Sequence, residues 1–279
     1  MFRRLLASAL LFVSLTACKQ DAPAPDTATP PANAPAAEPA AAPAPTPAAT
    51  ESDAQAATPA PAPADAVPPT LDPNAPEPRL GTDYEVIENP QPTWGSNDGR
   101  IEIAEVFSYR CVHCAEFQPS VNAWTAQLPA DVRWEYVPAA FGDTWDNFAR
   151  AYFAADVLGA TKRTHDAVFD VVFVKQEIKS GSLEEIADQY AKLGVDRAKF
   201  LDATKSFGVT AKLNRARQFG QRTGITATPT IIINGKYRVN ATPDRSFKGM
   251  LQTVNFLLAK ERAEAAAANA APAPPATQP

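Results

Sequence analysis

The sequence predicts an α/β domain, and three observations carry that prediction. An apolar strand from Ile101 runs straight into Cys111-Val112-His113-Cys114, and the residues that follow read as a helix. A second strand, Val132 to Val137, leads into a helical block of about 75 residues. The domain then closes with a strand, an Asn234-Gly235 turn, another strand and a helix.

Taken in order, Tyr84 to Glu88 is a short strand and Ile101 to Phe107 a stronger one, interrupted by Glu102 and Glu105. Ser108 to Gln127 holds the cysteine motif and a helix with Phe117, Val121, Trp124 and Leu128 on one face. Pro119 inside that pattern predicts a kink. In the helical block, Trp145, Phe148, Tyr152 and Ala155 share a face, as do Val168, Val172 and Lys175. Ser182-Leu-Glu-Glu185 is a capping box, and Asp196 caps a short helix containing Phe200 and Leu201. A helix from Thr210 to Thr223 stops at Gly224, suited to the left-handed residue beyond a helix end. Thr230 to Ile233 and Lys236 to Val239 flank the turn, and Thr242-Pro243-Asp244 opens a last helix with Phe247, Met250, Val254 and Leu257 inward. Phe141, Trp145 and Trp124 read as core, and His165 as an ordinary residue of the helical block. No internal repeat is visible.

The cysteine pair carries the chemistry. A cysteine at a helix N-terminus sits among unpaired backbone N–H groups and the positive end of the dipole, and both stabilise a thiolate. The expected arrangement leaves the first sulfur exposed and the second one turn inside the helix. His113 adds a cation beside the first. Thiol–disulfide exchange is the reaction these features point to.

The chain's third cysteine, Cys18, belongs to its leader. Met1 to Arg4 is a short positive segment, and Leu5 to Leu15 an apolar run too short to span a bilayer permanently. Leu15-Thr16-Ala17-Cys18 resembles the lipobox of bacterial lipoproteins, which implies cleavage after residue 17 and acylation of Cys18. One thiol pair then remains, in an oxidising compartment. Arg3-Arg4 lacks the rest of a twin-arginine signal.

From Lys19 to about Leu80 lie seventeen of the chain's 28 prolines, with no aromatic residue and no glycine. Such a segment buries too little apolar surface to offset the entropy of ordering, so residues 18–80 are expected to be a disordered, polyproline-biased tether. At about 3.1 Å per residue it reaches at most ~190 Å. The tether carries a net charge of −6 and the leader +2, leaving the rest of the chain near −1 of a total of −5. A nearly neutral domain has no electrostatic footprint for nucleic acid. The globular domain is expected over 81–262, its helical insertion over about 141–215, and a disordered Ala/Pro tail over 263–279. No dimerisation element is visible, and a monomer is expected.

Glu105-Val-Phe-Ser-Tyr-Arg-Cys-Val-His-Cys114, the helical insertion and Thr228-Pro229-Thr-Ile-Ile-Ile-Asn-Gly-Lys-Tyr237 together resemble the DsbA family of periplasmic thiol–disulfide oxidoreductases. That resemblance implies a thioredoxin-like fold with an inserted helical domain. It implies Cys111 as nucleophile, Cys114 as resolving thiol, His113 as thiolate stabiliser and Glu105 as a buried acid relaying a proton to Cys114. It also implies a cis Pro229 against the cysteine pair, with Thr228 presenting backbone groups to an unfolded client. No cofactor is implied beyond the redox-active cysteine pair. The implied partners are newly exported cysteine-containing proteins and a quinone-linked membrane oxidase of the DsbB type, with a lipid anchor holding the chain at a membrane. Val112 departs from the proline often found after the first cysteine, which bears on the redox potential. Three alternatives stand beside this reading: a reductase or isomerase on the same fold, a non-catalytic client-binding lipoprotein, and a metal carrier using Cys111, Cys114 and His113.

Overall fold

The structure, a computed structural model, describes residues 68–270. Five strands form one sheet: β1 (Tyr84–Val86), β2 (Ile101–Phe107), β3 (Val132–Pro138), β4 (Thr230–Ile233) and β5 (Tyr237–Asn240). Their spatial order is β1-β5-β4-β2-β3, with β2 and β3 parallel and the other pairs antiparallel. Helix α1 (Val112–Thr125) makes the crossover between the two parallel strands. Between β3 and β4 lie α2 (Asp143–Val157), α3 (Thr161–Phe169, prolonged by a π-helical turn to Val174), α4 (Leu183–Lys192), α5 (Arg197–Lys205) and α6 (Phe207–Arg222). Helix α7 (Ser246–Ala270) ends the described chain. This is a thioredoxin-like α/β fold with an inserted helical subdomain.

The central strands are buried on both faces, and side-chain alternation sends their residues to two cores. Ile103, Ile231 and Ile233 pack with Phe117, Val121 and Trp124 of α1 and with Met250, Val254 and Leu257 of α7. Ala104, Val106 and Ile232 face the other way, toward Phe148, Phe153 and Phe219 of the helical block. The Asn234-Gly235 turn has φ of 48° and 66°, the positive pair a type I′ turn requires. Side-chain caps start three of the inserted helices: Ser182 on Glu185 N–H, Asp196 on Lys199 N–H and Ser206 on Val209 N–H. Glu185 reaches back to the N–H groups of Lys179, Ser180 and Gly181 instead of closing the expected box on Ser182.

Several boundaries differ from expectation. Residues 68–80, expected in the free tether, lie along α7. Asn255 Nδ2 donates to Pro68 O and Thr70 O at 2.7 and 2.9 Å, while Arg245 donates to Pro76 O and pairs with buried Asp83. Composition hid this because the segment is held mainly through fixed backbone hydrogen bonds, with Pro69 buried beside them, and neither leaves a periodic apolar signal. Residues 263–270, expected in a disordered tail, extend α7; the run Ala263 to Ala271 is rich in the best helix former, and the first proline comes only at 272. The insertion runs to Arg222 because α6, capped by Ser206 and begun at Phe207, three residues before Thr210, continues unbroken past 215. Helix α7 begins at Ser246, one turn after Thr242-Pro243-Asp244. Helix α1 runs through Pro119, as the helix expected between the motif and Gln127 required. Trp124 is core, but Phe141 is 44 % exposed and lies tilted against partly buried Trp145.

Candidate active site

Strand β2 delivers the chain to the site. After Phe107 the backbone turns through Ser108, whose carbonyl accepts the Cys111 N–H at 2.9 Å. Cys111 is then the N-cap residue of α1, and its Sγ accepts the Cys114 N–H at 3.1 Å. Sulfur here takes the place usually held by a serine or aspartate oxygen. A thiolate is a far better acceptor than a thiol, so the cap itself favours ionisation.

The second wall comes from β4. Thr230 pairs with Val106 across the β2–β4 ladder, so the residues before Thr230 lie at the end of β2 beside the cysteines. The Thr228–Pro229 peptide bond is cis. Cys111 Sγ, as a thiol, donates to Thr228 O at 3.3 Å. This loop corrects one expectation: Cys111 is only 7 % exposed, where an open sulfur was expected. Cys114 is fully buried, and both cysteines are free thiols.

Electrostatics separate the two sulfurs. Cys111 is held below the ordinary thiol range, first by the Cys114 S–H, then by the Thr228 side chain and the Cys114 N–H, with the charge of His113 contributing least. Burial opposes these effects. Cys114 is pushed well above that range by burial first, then by the hydrogen bond its S–H gives Cys111, and then by the charges of Cys111 and Glu105. At neutral pH the arrangement therefore holds a thiolate at Cys111 and a proton at Cys114.

Glu105 on β2 is fully buried, and neither carboxyl oxygen has a hydrogen-bond partner. Burial above all, with the Cys111 charge second, pushes its pKa up to about 8, and Trp134 opposes the shift. It is a protonated acid below that pH, next to a sulfur that needs a proton when it leaves. His113 sits apart: its side chain is exposed, and Nδ1 meets Glu116 Oε2 at 3.0 Å. Its pKa is raised chiefly by Glu116 and only slightly by Cys111.

The structure thus brings Cys111, Cys114, Glu105, Thr228 and Pro229 together and turns His113 toward solvent. Cys18 lies outside the described residues. Sequence reasoning passed over Ser108, Glu116 and Trp134, and it took His165 for an ordinary helical residue. His165 is buried against Tyr109 and Gln118, 56 and 47 positions away, a separation that no local pattern reveals. Among the described residues, no group of three or more His, Cys, Asp or Glu side chains could hold a metal ion.

Comparison with known proteins points the same way. The Thioredoxin family model matches residues 88–253. The thiol:disulfide interchange protein DsbA of Pseudomonas aeruginosa is 34 % identical over 185 residues, covering 66 % of this chain and 86 % of that one. The DsbA of Azotobacter vinelandii is 33 % identical, covering 66 % and 85 %. Among solved structures, the oxidoreductase DsbA from Xylella fastidiosa superposes with a TM-score of 0.63 at 38 % identity, over 67 % of this chain and 98 % of that one. The crystal structure of Pseudomonas aeruginosa DsbA gives 0.63 at 32 % identity, over 67 % and 96 %.

Proposed function

The chain belongs to the DsbA family and is a thiol–disulfide oxidoreductase with an active-site cysteine pair; from that premise we propose that it is a membrane-anchored periplasmic donor of disulfides. The observation that carries this reading is the divided sulfur pair. Cys111 caps α1 and is acidic, while Cys114 is buried and retains its proton. A thiolate that is stable in the dithiol makes the disulfide eager to be reduced, so electrons flow from client to enzyme.

The oxidised enzyme presents the Cys111–Cys114 bond. A client thiolate attacks Cys111 Sγ, the enzyme disulfide breaks, and Cys114 leaves as a thiolate. Glu105, neutral below about pH 8, hands its proton to that sulfur. A second client thiolate then attacks the client sulfur of the mixed disulfide and expels Cys111 as the stabilised thiolate. The client is oxidised by two electrons and the enzyme gains them as a dithiol. Thr228 and the cis Pro229 offer backbone groups beside the disulfide, to which an extended client pairs as an added strand. His113 contributes a minor, solvent-screened share of the thiolate's stability.

Cleavage before Cys18 and its acylation would fix the chain to a membrane; residues 18–67, expected in the tether, lie outside the described residues. Reoxidation would fall to a quinone-linked oxidase of the DsbB type. Replacing Cys114 with alanine removes the enzyme's own second thiol, so incubating that variant's mixed disulfide with glutathione with an unfolded client carrying a single reduced cysteine should accumulate a client adduct on Cys111. A Cys111→Ser variant that still formed disulfides in cells would overturn the reading in favour of a non-catalytic client binder.

A further inference from the structure

His165 takes no part in the exchange steps, yet both of its ring nitrogens are engaged in the core. Nδ1 lies 2.9 Å from the Tyr109 hydroxyl and Nε2 3.3 Å from the Gln118 side-chain oxygen. A carboxamide oxygen only accepts, so this network assigns the ring proton to Nε2, and Nδ1 accepts from Tyr109. Burial keeps the ring neutral, with its pKa lowered to about 3. Phe107, Tyr109, Tyr136, Tyr152 and Phe169 surround it, the nearest centroid, that of Tyr136, at 4.3 Å. Gln118 passes the contact on to the Tyr136 hydroxyl at 3.0 Å and to Asn122 at 2.9 Å, and Asn122 returns to Asp166 of α3 at 2.7 Å.

We propose that His165 is a positioning residue for the Cys111 thiolate, supplied by the helical insertion. Its two partners straddle the redox turn. Tyr109 stands two residues before Cys111 at the strand-to-helix corner, and Gln118 stands one turn beyond Cys114 on α1. One ring carried by α3 therefore ties both sides of the turn to the insertion. What stabilises the thiolate is short-range: the Cys114 S–H first, the Thr228 side chain, and the Cys114 N–H 3.1 Å from Sγ, with the corner fixed by the Cys111 N–H on the carbonyl of Ser108, the neighbour of Tyr109. Hydrogen bonds weaken steeply with misalignment, so a corner free to shift loses part of that stabilisation. The disulfide carries no such charge and loses less. Releasing the corner thus disfavours the dithiol form selectively, and the enzyme becomes a weaker oxidant.

The test compares His165→Phe, His165→Asn and Tyr109→Phe in the full-length chain. His165→Phe keeps a ring in the aromatic cage but leaves the Tyr109 hydroxyl and the Gln118 oxygen unpaired. It should raise the pH at which Cys111 ionises, read by thiolate absorbance. It should also shift half-reduction at least tenfold in [GSH]²/[GSSG] toward the reducing side. Asparagine places an acceptor near Nδ1 and should restore most of both readouts. Tyr109→Phe deletes one hydroxyl, keeps its ring, and should move both readouts in the same direction as His165→Phe. A His165→Phe protein that melts earlier but keeps its Cys111 titration and glutathione midpoint within twofold of the parent would show a purely structural residue and overturn the proposal. If that variant does not fold, Tyr109→Phe decides by the same two readouts. The inference rests on Cys111 being the acidic thiol; equal alkylation of both cysteines in the parent would refute that premise separately.

Discussion

Glu105 and the two cysteines form a unit in which protons are held where the exchange needs them. Because the folded pKa of Glu105, about 8, lies above its ordinary 4.5, the folded state binds more protons than the unfolded state between those values. Stability from this group is full below pH ~4.5 and is lost as pH rises through ~8, a fall of roughly 3–5 kcal/mol. Because the acidic Cys111 gains stability over the same range and opposes this fall, the contribution is read as a difference. Urea unfolding of the dithiol protein and of its Glu105→Gln variant at pH 5, 7 and 9 should show the parent losing that much more than the variant, and equal pH dependence would mean that Glu105 is ionised throughout. The same variant should slow release of Cys114 at neutral pH and leave client attack on Cys111 little changed. Iodoacetamide at pH 7 should modify Cys111 and spare Cys114, since one is an acidic thiol with an edge open to solvent and the other is buried and protonated. Peptide mapping of the carboxamidomethylated protein checks this, and equal labelling would contradict it.

At the scale of elements, the site is the meeting of a strand end, a helix start and a loop, and the sequence showed two of these plainly. The bounds of β2 and β4 and the hairpin turn were legible because short apolar runs, Asn-Gly and the CxxC motif are local signals. The cap made by Cys111 was legible for the same reason. The covering of its sulfur was not a local signal: it depends on a loop 117 residues away, which only the family resemblance set against the cysteine pair, and the sulfur was still expected to be exposed. His165 escaped for a like reason, its partners lying on two other elements. The strap at 68–80 was hidden by a composition that reads as free chain, although Asn255 ties it to both α1 and α7: Asn255 Oδ1 also accepts the Trp124 Nε1–H at 3.1 Å. Asn255→Ala should cost about 2–3 kcal/mol, because it leaves a buried indole N–H unpaired and frees the strap. Thermal melts of that variant, and of chains begun at Pro68 and at Gly81, measure the strap directly. Equal melting of the two truncated forms would show that the strap adds nothing to the fold.

For the whole molecule, the strap fixes where the N-terminal segment leaves the domain. Pro68 is bonded to Asn255, which sits beside Trp124 near the C-terminal end of α1, whereas Cys111 caps the other end of that helix. With 14 residues in α1, rising about 1.5 Å each, the exit lies on the order of 20 Å from the thiolate along the helix axis. A lipid anchor on Cys18 would therefore hold the domain by the end remote from its chemistry, leaving the cysteines free to meet clients. Cys18→Ser should shift the protein from membrane to soluble fractions without changing its redox equilibrium; membrane retention would contradict the anchor. Among the described residues no helix is long and apolar enough to cross a membrane.

The central claim is that the dithiol is stabilised at Cys111 and the disulfide is therefore an oxidant. Its most direct test is the equilibrium of the Cys111–Cys114 pair with graded glutathione buffers, read by thiol trapping. A potential near the −120 mV or so known for DsbA is the expected result. A potential near −270 mV or so, as in thioredoxin, would mean that the disulfide is the stable form and that the protein reduces its clients.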